Sequence, residues 1–327
     1  MKIPKYLINI INQIISNRQF EVRVNDYTTA PNNIHCGLQQ GGVLSPVLFA
    51  IYINDIPIVN NGINEHSMLF ANDLAELFKM DKITDENTKK INDHLKKLEN
   101  WLDDWRLKMS PEKCSYLIFS LNKKTGKSEQ MDLKLYNQNI PIEKENNVRF
   151  LGIRFDKHMS YKNQLQYLKD TCSDRLNVLK VLAHKSWKID TTTLTTIYKL
   201  LIRSIIDYSL HLYDIISESN KNTLQRIQNK AIRIIHNIKY SDHISVNELH
   251  NISKIETIHQ RAETLRANYF NKNMNNKNPM LCQLIDEYEF YKENNLHQRH
   301  PNLLDKWVTQ RDNNETDMTN INNLFGE

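Results

Sequence analysis

Glycine is scarce in this sequence, with seven in 327 residues. A cluster of glycines therefore marks a place where the backbone needs unusual freedom. The four cysteines, Cys36, Cys114, Cys172 and Cys282, lie far apart, with no CxxC pair and no histidine pair at zinc spacing. That pattern excludes a disulfide scaffold and a zinc module, and it fits free thiols in a reducing, intracellular compartment, cytoplasm or nucleus. No run of 18 or more apolar residues occurs, so no membrane span and no membrane partner is expected. The first residues lack a small-residue cleavage site and read as an amphipathic helix instead of a leader. A strong excess of one charge is also lacking. The 43 basic and 38 acidic residues leave a net charge of +5, which is compatible with a nucleic-acid partner without requiring one.

What is present supports a folded protein. Hydrophobic residues make up 40% and charged residues 25% of the chain, enough for a packed core. At roughly 150 residues per domain, the length suggests about two domains. Tyr6, Leu7, Ile10, Ile11, Ile14 and Ile15 recur at helical spacing behind Pro4, predicting a helix over 4–16. Phe20, Val22 and Val24 alternate with Glu21 and Arg23, as in a half-buried strand, and Asn25-Asp26 signals a turn. Ser67–Ala71 and Leu74–Phe78 read as two strands around Asn72-Asp73. Ile91, Leu95, Leu98, Leu102 and Trp105 mark one face of a helix. Short strands follow near 116–119, 133–136 and 148–155. From Tyr161 onward only helices are expected, over 161–184, 191–213, 221–237 and 254–273, with a domain boundary near 157–160. The Asn-rich stretch from about Asp312 reads as a disordered tail.

Two features carry chemistry. Gly37-Leu38-Gln39-Gln40-Gly41-Gly42 runs into Val43-Leu44-Ser45-Pro46 and an apolar helix ending near Ile53. Glycines there permit positive φ and close approach of a ligand, and a helix N-terminus can face a phosphate or a base pair. Phe70-Ala71-Asn72-Asp73 sits in a strand–turn–strand context. Such a tip can offer polar side chains to a magnesium ion, which favours carboxylate and phosphate oxygens. Each feature alone is equally an ordinary turn.

Taken together, in order, the features resemble the reverse transcriptase domain of non-LTR retrotransposons, the LINE and jockey-like group. Gly37 to Phe49, followed by Ile51-Tyr52-Ile53-Asn54-Asp55-Ile56, is similar to that family's motif B. Phe70-Ala71-Asn72-Asp73 aligns with motif C, the [FY]ADD box. Leu107 to Cys114 resembles motif D, with Lys113 at a recurring lysine. Phe150-Leu151-Gly152-Ile153 matches the LG box of the primer grip. Tyr208 and the segment Gln225 to Arg233 match the helical region beyond it.

The resemblance implies an α/β (α+β) fold. A partial right-hand polymerase palm with fingers elements would occupy 1–157, and an all-helical thumb with a C-terminal extension would occupy 158–327. It implies magnesium-dependent primer extension from deoxynucleoside triphosphates, with an RNA template and a DNA primer as partners. Asp73, Asn72 and Lys113 take the catalytic positions, and Asp73 is the metal ligand. Gln40, Gly41, Ser45, Pro46, Leu151 and Gly152 take substrate-binding positions.

The sequence also departs from that pattern. The family gathers two metal ions with three carboxylates, one in motif A and two in motif C. Motif A would lie upstream of Ile3, so an N-terminally truncated copy is expected. Asn72 replaces the first Asp of motif C; its carbonyl can ligate a metal but brings no charge. Gly42 replaces the usual Ser of motif B. Loss of polymerase activity is therefore expected, with Mg2+ binding weakened. Asp55 and Asp156 read as a helix-end and a turn residue, not as substitute ligands.

The alternative is binding without chemistry. Residues 221–272 hold nine basic against four acidic residues, and Arg226, Lys230 and Arg233 fall on one helical face that could track a phosphate backbone. Residues 286–327 run the other way, nine acidic against four basic. The sequence leaves the oligomeric state open.

Overall fold

A computed structural model describes residues 4–59, 65–120, 130–137 and 139–294. Helices and short strands are mixed, and the chain forms two compact units that part between Glu145 and Asn146, with Phe119 and Ser120 grouping with the second.

The first unit opens with α1 (Lys5–Ile15), started by Pro4 at φ −58°. Pro fixes that angle and costs the helix no internal hydrogen bond at this position. None of its side chains is buried, and Ile8 and Ile10 stay about half exposed. β1 (Arg18–Phe20) leads to a small hairpin of β2 (Arg23–Val24) and β3 (Tyr27–Thr28), which turns at Asn25 with φ +54°. β4 (Asn32–Ile34) then returns to pair antiparallel with β1. The half-buried strand read from Phe20, Val22 and Val24 is corrected here. All three are exposed, because the segment splits between two separate two-stranded ribbons, β1–β4 and β2–β3, and forms no continuous strand with a buried face.

α2 (Ser45–Tyr52) follows the glycine loop. β5 (Glu65–Phe70) and β6 (Asp73–Phe78) form a tight antiparallel hairpin in which Phe70 faces Asp73 across the end. α3 (Asp85–Asp104) is capped by Thr84, whose hydroxyl accepts the Asn87 N–H at 3.2 Å. Asp85 and Glu86 sit in its first turn, where the helix dipole favours negative charge. β7 (Ser115–Tyr116), β8 (Lys134–Leu135), β9 (Ile140–Pro141) and β10 (Glu143–Lys144) complete the unit. β8 pairs with β9, and β7 runs parallel to β10. Ile91, Met131 and Leu133 form its core, with Phe78 and Leu95 against them. Buried Asn92 ties α3 to the edge of β8. Its Nδ2 donates to the Asp132 carbonyl at 2.8 Å, and its Oδ1 accepts the Lys134 N–H at 3.1 Å.

The second unit starts with the hairpin of β11 (Asn147–Phe150) and β12 (Ile153–Asp156). Helices follow: α4 (Lys162–Leu182), α5 (Thr191–Tyr198), α6 (Ser204–Ser209), α7 (Glu218–Ile235), α8 (Val246–Ser253), α9 (Ile258–Asn275) and α10 (Pro279–Glu293). One main core runs from the hairpin to α9, and Phe270, Leu281 and Ile285 form a separate small cluster between α9 and α10. Leu168, Cys172 and Leu179 of α4 meet Tyr198, Ile202 and Ile206, then Ala231 and Ile232 of α7 and Ile258 of α9. Each leucine and isoleucine among them, fully buried, contributes about 1.5–3 kcal/mol relative to exposure.

The hairpin belongs with the helices, earlier in the chain than the boundary read near 157. Ile153 is part of the helical core, and Gln164 of α4 accepts the Arg154 N–H at 3.1 Å. The helix expected over 191–213 is interrupted by a π-helical stretch at Lys199–Arg203, a wider turn between α5 and α6. α8 and α10 had no sequence-based expectation. The tail expected from about Asp312 lies outside the described residues. No helix among the described residues is long and apolar enough to cross a membrane.

Candidate functional site

The glycine loop closes on one carbonyl. The Gln39 oxygen accepts the Gly42 N–H at 3.2 Å and the Ser45 hydroxyl at 2.6 Å, while the Ser45 N–H reaches the Gly42 carbonyl at 3.1 Å. Gly41 sits at φ +81°, a conformation that residues with a Cβ rarely adopt. A Cβ at Gly42 would lie 2.7 Å from Ser45 Oγ, so a side chain there would displace the Ser45 hydroxyl from Gln39. Gln40 and Pro46 are exposed at this loop, and Pro46 occupies the first turn of α2.

At the tip of the β5–β6 hairpin the turn consists of Ala71 and Asn72 alone, since Phe70 and Asp73 are still paired. Ala71 holds φ +51°. For a residue with a Cβ this costs roughly 1–2 kcal/mol, and glycine is usual in such turns. Asn72 and Asp73 are both exposed at the tip. Among the described residues no group of three His, Cys, Asp or Glu side chains is placed to hold a metal ion. The donors at this tip are one carboxylate and one neutral amide, which do not fit a pair of divalent cations.

Lys113 ends a 3-10 turn, Pro111–Lys113, and is exposed. Asp55 is exposed just past α2. Asp156 is engaged at the start of α4. Its carboxylate accepts the Ser160 N–H at 2.6 Å, the Ser160 hydroxyl at 2.7 Å and the Tyr161 N–H at 3.1 Å, which agrees with its reading as a turn residue.

In the second unit Leu151 and Gly152 form the two-residue turn between β11 and β12, at φ +45° and +81°. Tyr208 of α6 covers this turn and donates its hydroxyl to the Leu151 carbonyl at 2.6 Å.

Arg226, Lys230 and Arg233 stand along one face of α7 and line a cavity of about 440 Å³ against α4. Lys169 of α4 and Tyr240, in the loop after α7, line the same cavity. Sequence reading missed both. Lys169 shares a helical face with Ser173 and Leu176, but only the packing of α4 on α7 shows which cations it joins. Arg233 donates to the Lys239 carbonyl at 2.7 Å, and its guanidinium lies 5.6 Å from the centre of the Tyr240 ring.

A buried ionic cluster was also missed. Arg203, only 5% exposed, pairs with Glu256 at 2.9 Å and lies 3.5 Å from Asp207; Arg261 pairs with Asp207 at 2.9 Å and with Glu256 at 3.3 Å. Arg203 and Asp207 stand at i,i+4 spacing, a local signal that was missed, but their meeting with Glu256 and Arg261 is tertiary and has none.

Comparison with known proteins accounts for the motif order. Residues 1–155 match the family model described as reverse transcriptase (RNA-dependent DNA polymerase). Among curated relatives, the chain is 23% identical over 271 residues to a probable RNA-directed DNA polymerase from transposon BS of Drosophila melanogaster, covering 81% of this chain and 29% of the relative. It is 20% identical over 284 residues to the probable RNA-directed DNA polymerase from transposon X-element of the same organism, covering 86% and 30%. It is 24% identical over 237 residues to the RNA-directed DNA polymerase from its mobile element jockey, covering 71% and 25%. The chain thus spans less than a third of the length of these relatives. No solved structure matches. Residues 1–155 thus resemble a reverse transcriptase domain, and most of the chain is similar to RNA-directed DNA polymerases of Drosophila retrotransposons.

Proposed function

We propose that this chain is the polymerase region of a retrotransposon reverse transcriptase whose Asn72–Asp73 tip no longer supports DNA synthesis. In this reading the first unit supplies part of the palm and fingers, and the helices from α4 onward supply the thumb. An RNA template, a DNA primer and deoxynucleoside triphosphates are its partners, and Lys113 lies on the leaving-phosphate side. The carrying observation is the exposed tip, where a neutral amide stands beside one carboxylate. Two-metal phosphoryl transfer depends on fixed negative charge to hold both cations beside a triphosphate. A single carboxylate supplies half of what that hairpin contributes in the family.

The test is primer extension on a primed RNA by the purified chain, with magnesium and then manganese. No incorporation above background is expected. Robust incorporation by the unaltered chain would falsify the inactive reading.

A second reading, binding to nucleic acid without chemistry, is favoured by the α4–α7 cavity with its four cationic side chains. It expects salt-dependent retention of RNA and DNA, because counterion release dominates such affinity. Absence of any retention at low salt rejects it.

A further inference from the structure

We propose that the α4–α7 cavity is a binding site for unpaired nucleic acid, in which Tyr240 stacks on a base while Lys169, Arg226 and Lys230 hold the adjoining phosphates. The proposal deepens the binding reading above and rests on it. It adds a strand class and two residues, Lys169 and Tyr240, that the α7 basic face alone does not supply.

Charge is the first support. Lys169, Arg226 and Lys230 line the cavity, and no acidic partner for any of them is present among the described residues. Arg233 donates to the backbone carbonyls of Lys239 and Asp242 and makes no ion pair with a carboxylate, the Asp242 carboxylate of the same loop being taken by the Lys239 N–H. Asp170 and Asp174, the acidic residues of α4 nearest to Lys169, are not part of the lining. Four cations converge here from two helices, whereas a solvated charged face needs only one.

The aromatic ring is the second support. Tyr240 is 72% exposed at the cavity, beside the Arg233 guanidinium. An exposed ring next to a fixed cation is a stacking surface open to any base, since every base has a π face. Leu176 and Ile227, both buried, give the cavity an apolar floor, which suits a base and not a second phosphate. Its volume of about 440 Å³ lies within the roughly 300–1,000 Å³ range of sites for small organic groups. A duplex keeps its bases stacked inside and can use only the cations. An unpaired strand can use the ring and the cations together.

The experiment is fluorescence anisotropy on the full chain, with a labelled single-stranded oligonucleotide and a blunt duplex of equal length, at two salt concentrations. Single strands are expected to bind more tightly than duplex. Tyr240→Leu should weaken single-strand binding by about 5- to 100-fold, as loss of one stacked base implies, with duplex binding unchanged. Tyr240→Phe, which keeps the ring, should retain single-strand affinity. Lys169→Gln should weaken both ligands and reduce the salt slope by about one. Equal affinity for both ligands with no effect of Tyr240→Leu overturns the proposal and leaves the binding reading standing. Binding of neither ligand at low salt overturns both.

Discussion

The Tyr208 hydroxyl donates to the Leu151 carbonyl at 2.6 Å, fastening α6 onto the tip of the β11–β12 hairpin. The turn beneath it tolerates little. Gly152 holds φ +81°, and a Cβ there would come within 3.2 Å of the Tyr208 ring. Gly152→Ala combines left-handed strain with a push on that ring, so a loss of roughly 1–3 kcal/mol is expected. Tyr208→Phe removes one hydrogen bond at a largely exposed ring and should cost about 0.5–1.5 kcal/mol. Urea midpoints followed by circular dichroism give the order. An alanine variant as stable as the parent would show that the turn is not held in this conformation.

The ionic cluster around Arg203 sorts by burial. Asp207 serves two guanidinium groups, one of them 5% exposed. Asp207→Ala leaves Arg203 dependent on Glu256 alone, and because that pairing remains the cost should stay below the roughly 3–5 kcal/mol of a fully unpaired buried charge. The Arg261 side chain is 30% exposed, so water can compensate its loss, and Arg261→Ala should cost clearly less. A larger loss for Arg261→Ala in thermal unfolding would reverse this assignment.

Much of the fold could be read from periodicity, and the exceptions have physical causes. The spacing of Ile91, Leu95 and Leu98 and the polar Asn72-Asp73 pair are local signals, and α3 and the β5–β6 hairpin form, although the hairpin turns one residue earlier than read, at Ala71-Asn72, with Asp73 already paired in β6. α8 had a local signal that was overlooked: Ser245 and Glu248 make a reciprocal capping box at its start. The π stretch at Lys199–Arg203 had none, because its apolar residues keep helical spacing on either side. The hairpin at 147–156 joins the helices through Ile153 and Gln164, which is a tertiary choice that strand alternation cannot reveal. For the candidate site, the glycine loop and the motif tip were legible as residues. The convergence of Lys169 and Tyr240 on α7 depends on which helix packs against which.

Restoring a carboxylate at the hairpin tip isolates the electrostatic deficit. At 4 Å in water a unit-charge pair is worth about 1 kcal/mol, and a divalent ion doubles that. Asn72→Asp should therefore raise Mn2+ affinity by about tenfold or more, read from the free-ion signal in electron paramagnetic resonance. An unchanged affinity would mean that residues 72 and 73 do not converge on one ion.

Acid should destabilise the second unit through His236. Burial lowers its pKa below the usual histidine value, and its Nε2 is buried with no hydrogen-bond partner. In the unfolded chain His236 takes up a proton near pH 6.5, while in the folded chain it resists doing so. The unfolded state then binds more protons, so stability falls as the pH drops through about 6.5 and is unaffected well above it. His236→Phe keeps a ring of similar shape and removes the titration. The gap in melting temperature between pH 8 and pH 5.5 should narrow in the variant; a gap of unchanged width would place the acid sensitivity elsewhere.

The thiols should separate by accessibility. Cys172 is fully buried in the core between α4 and its neighbours, and burial pushes its pKa up to about 11. Cys114 is partly buried, and burial together with the negative charge of Glu99 also raises its pKa. Cys36 is exposed beside the glycine loop. Since the thiolate is the reacting species, alkylation at pH 7.5 should label Cys36 first and leave Cys172 unlabelled until the helical core opens. Mass spectrometry of peptides after timed iodoacetamide treatment, with and without urea, resolves the order. Rapid native labelling of Cys172 would mean that α4 does not stay packed on Tyr198 and Ile202. The cavity lined by Lys169 would then lose one of its walls, so the same measurement bears on whether the nucleic-acid site exists in solution.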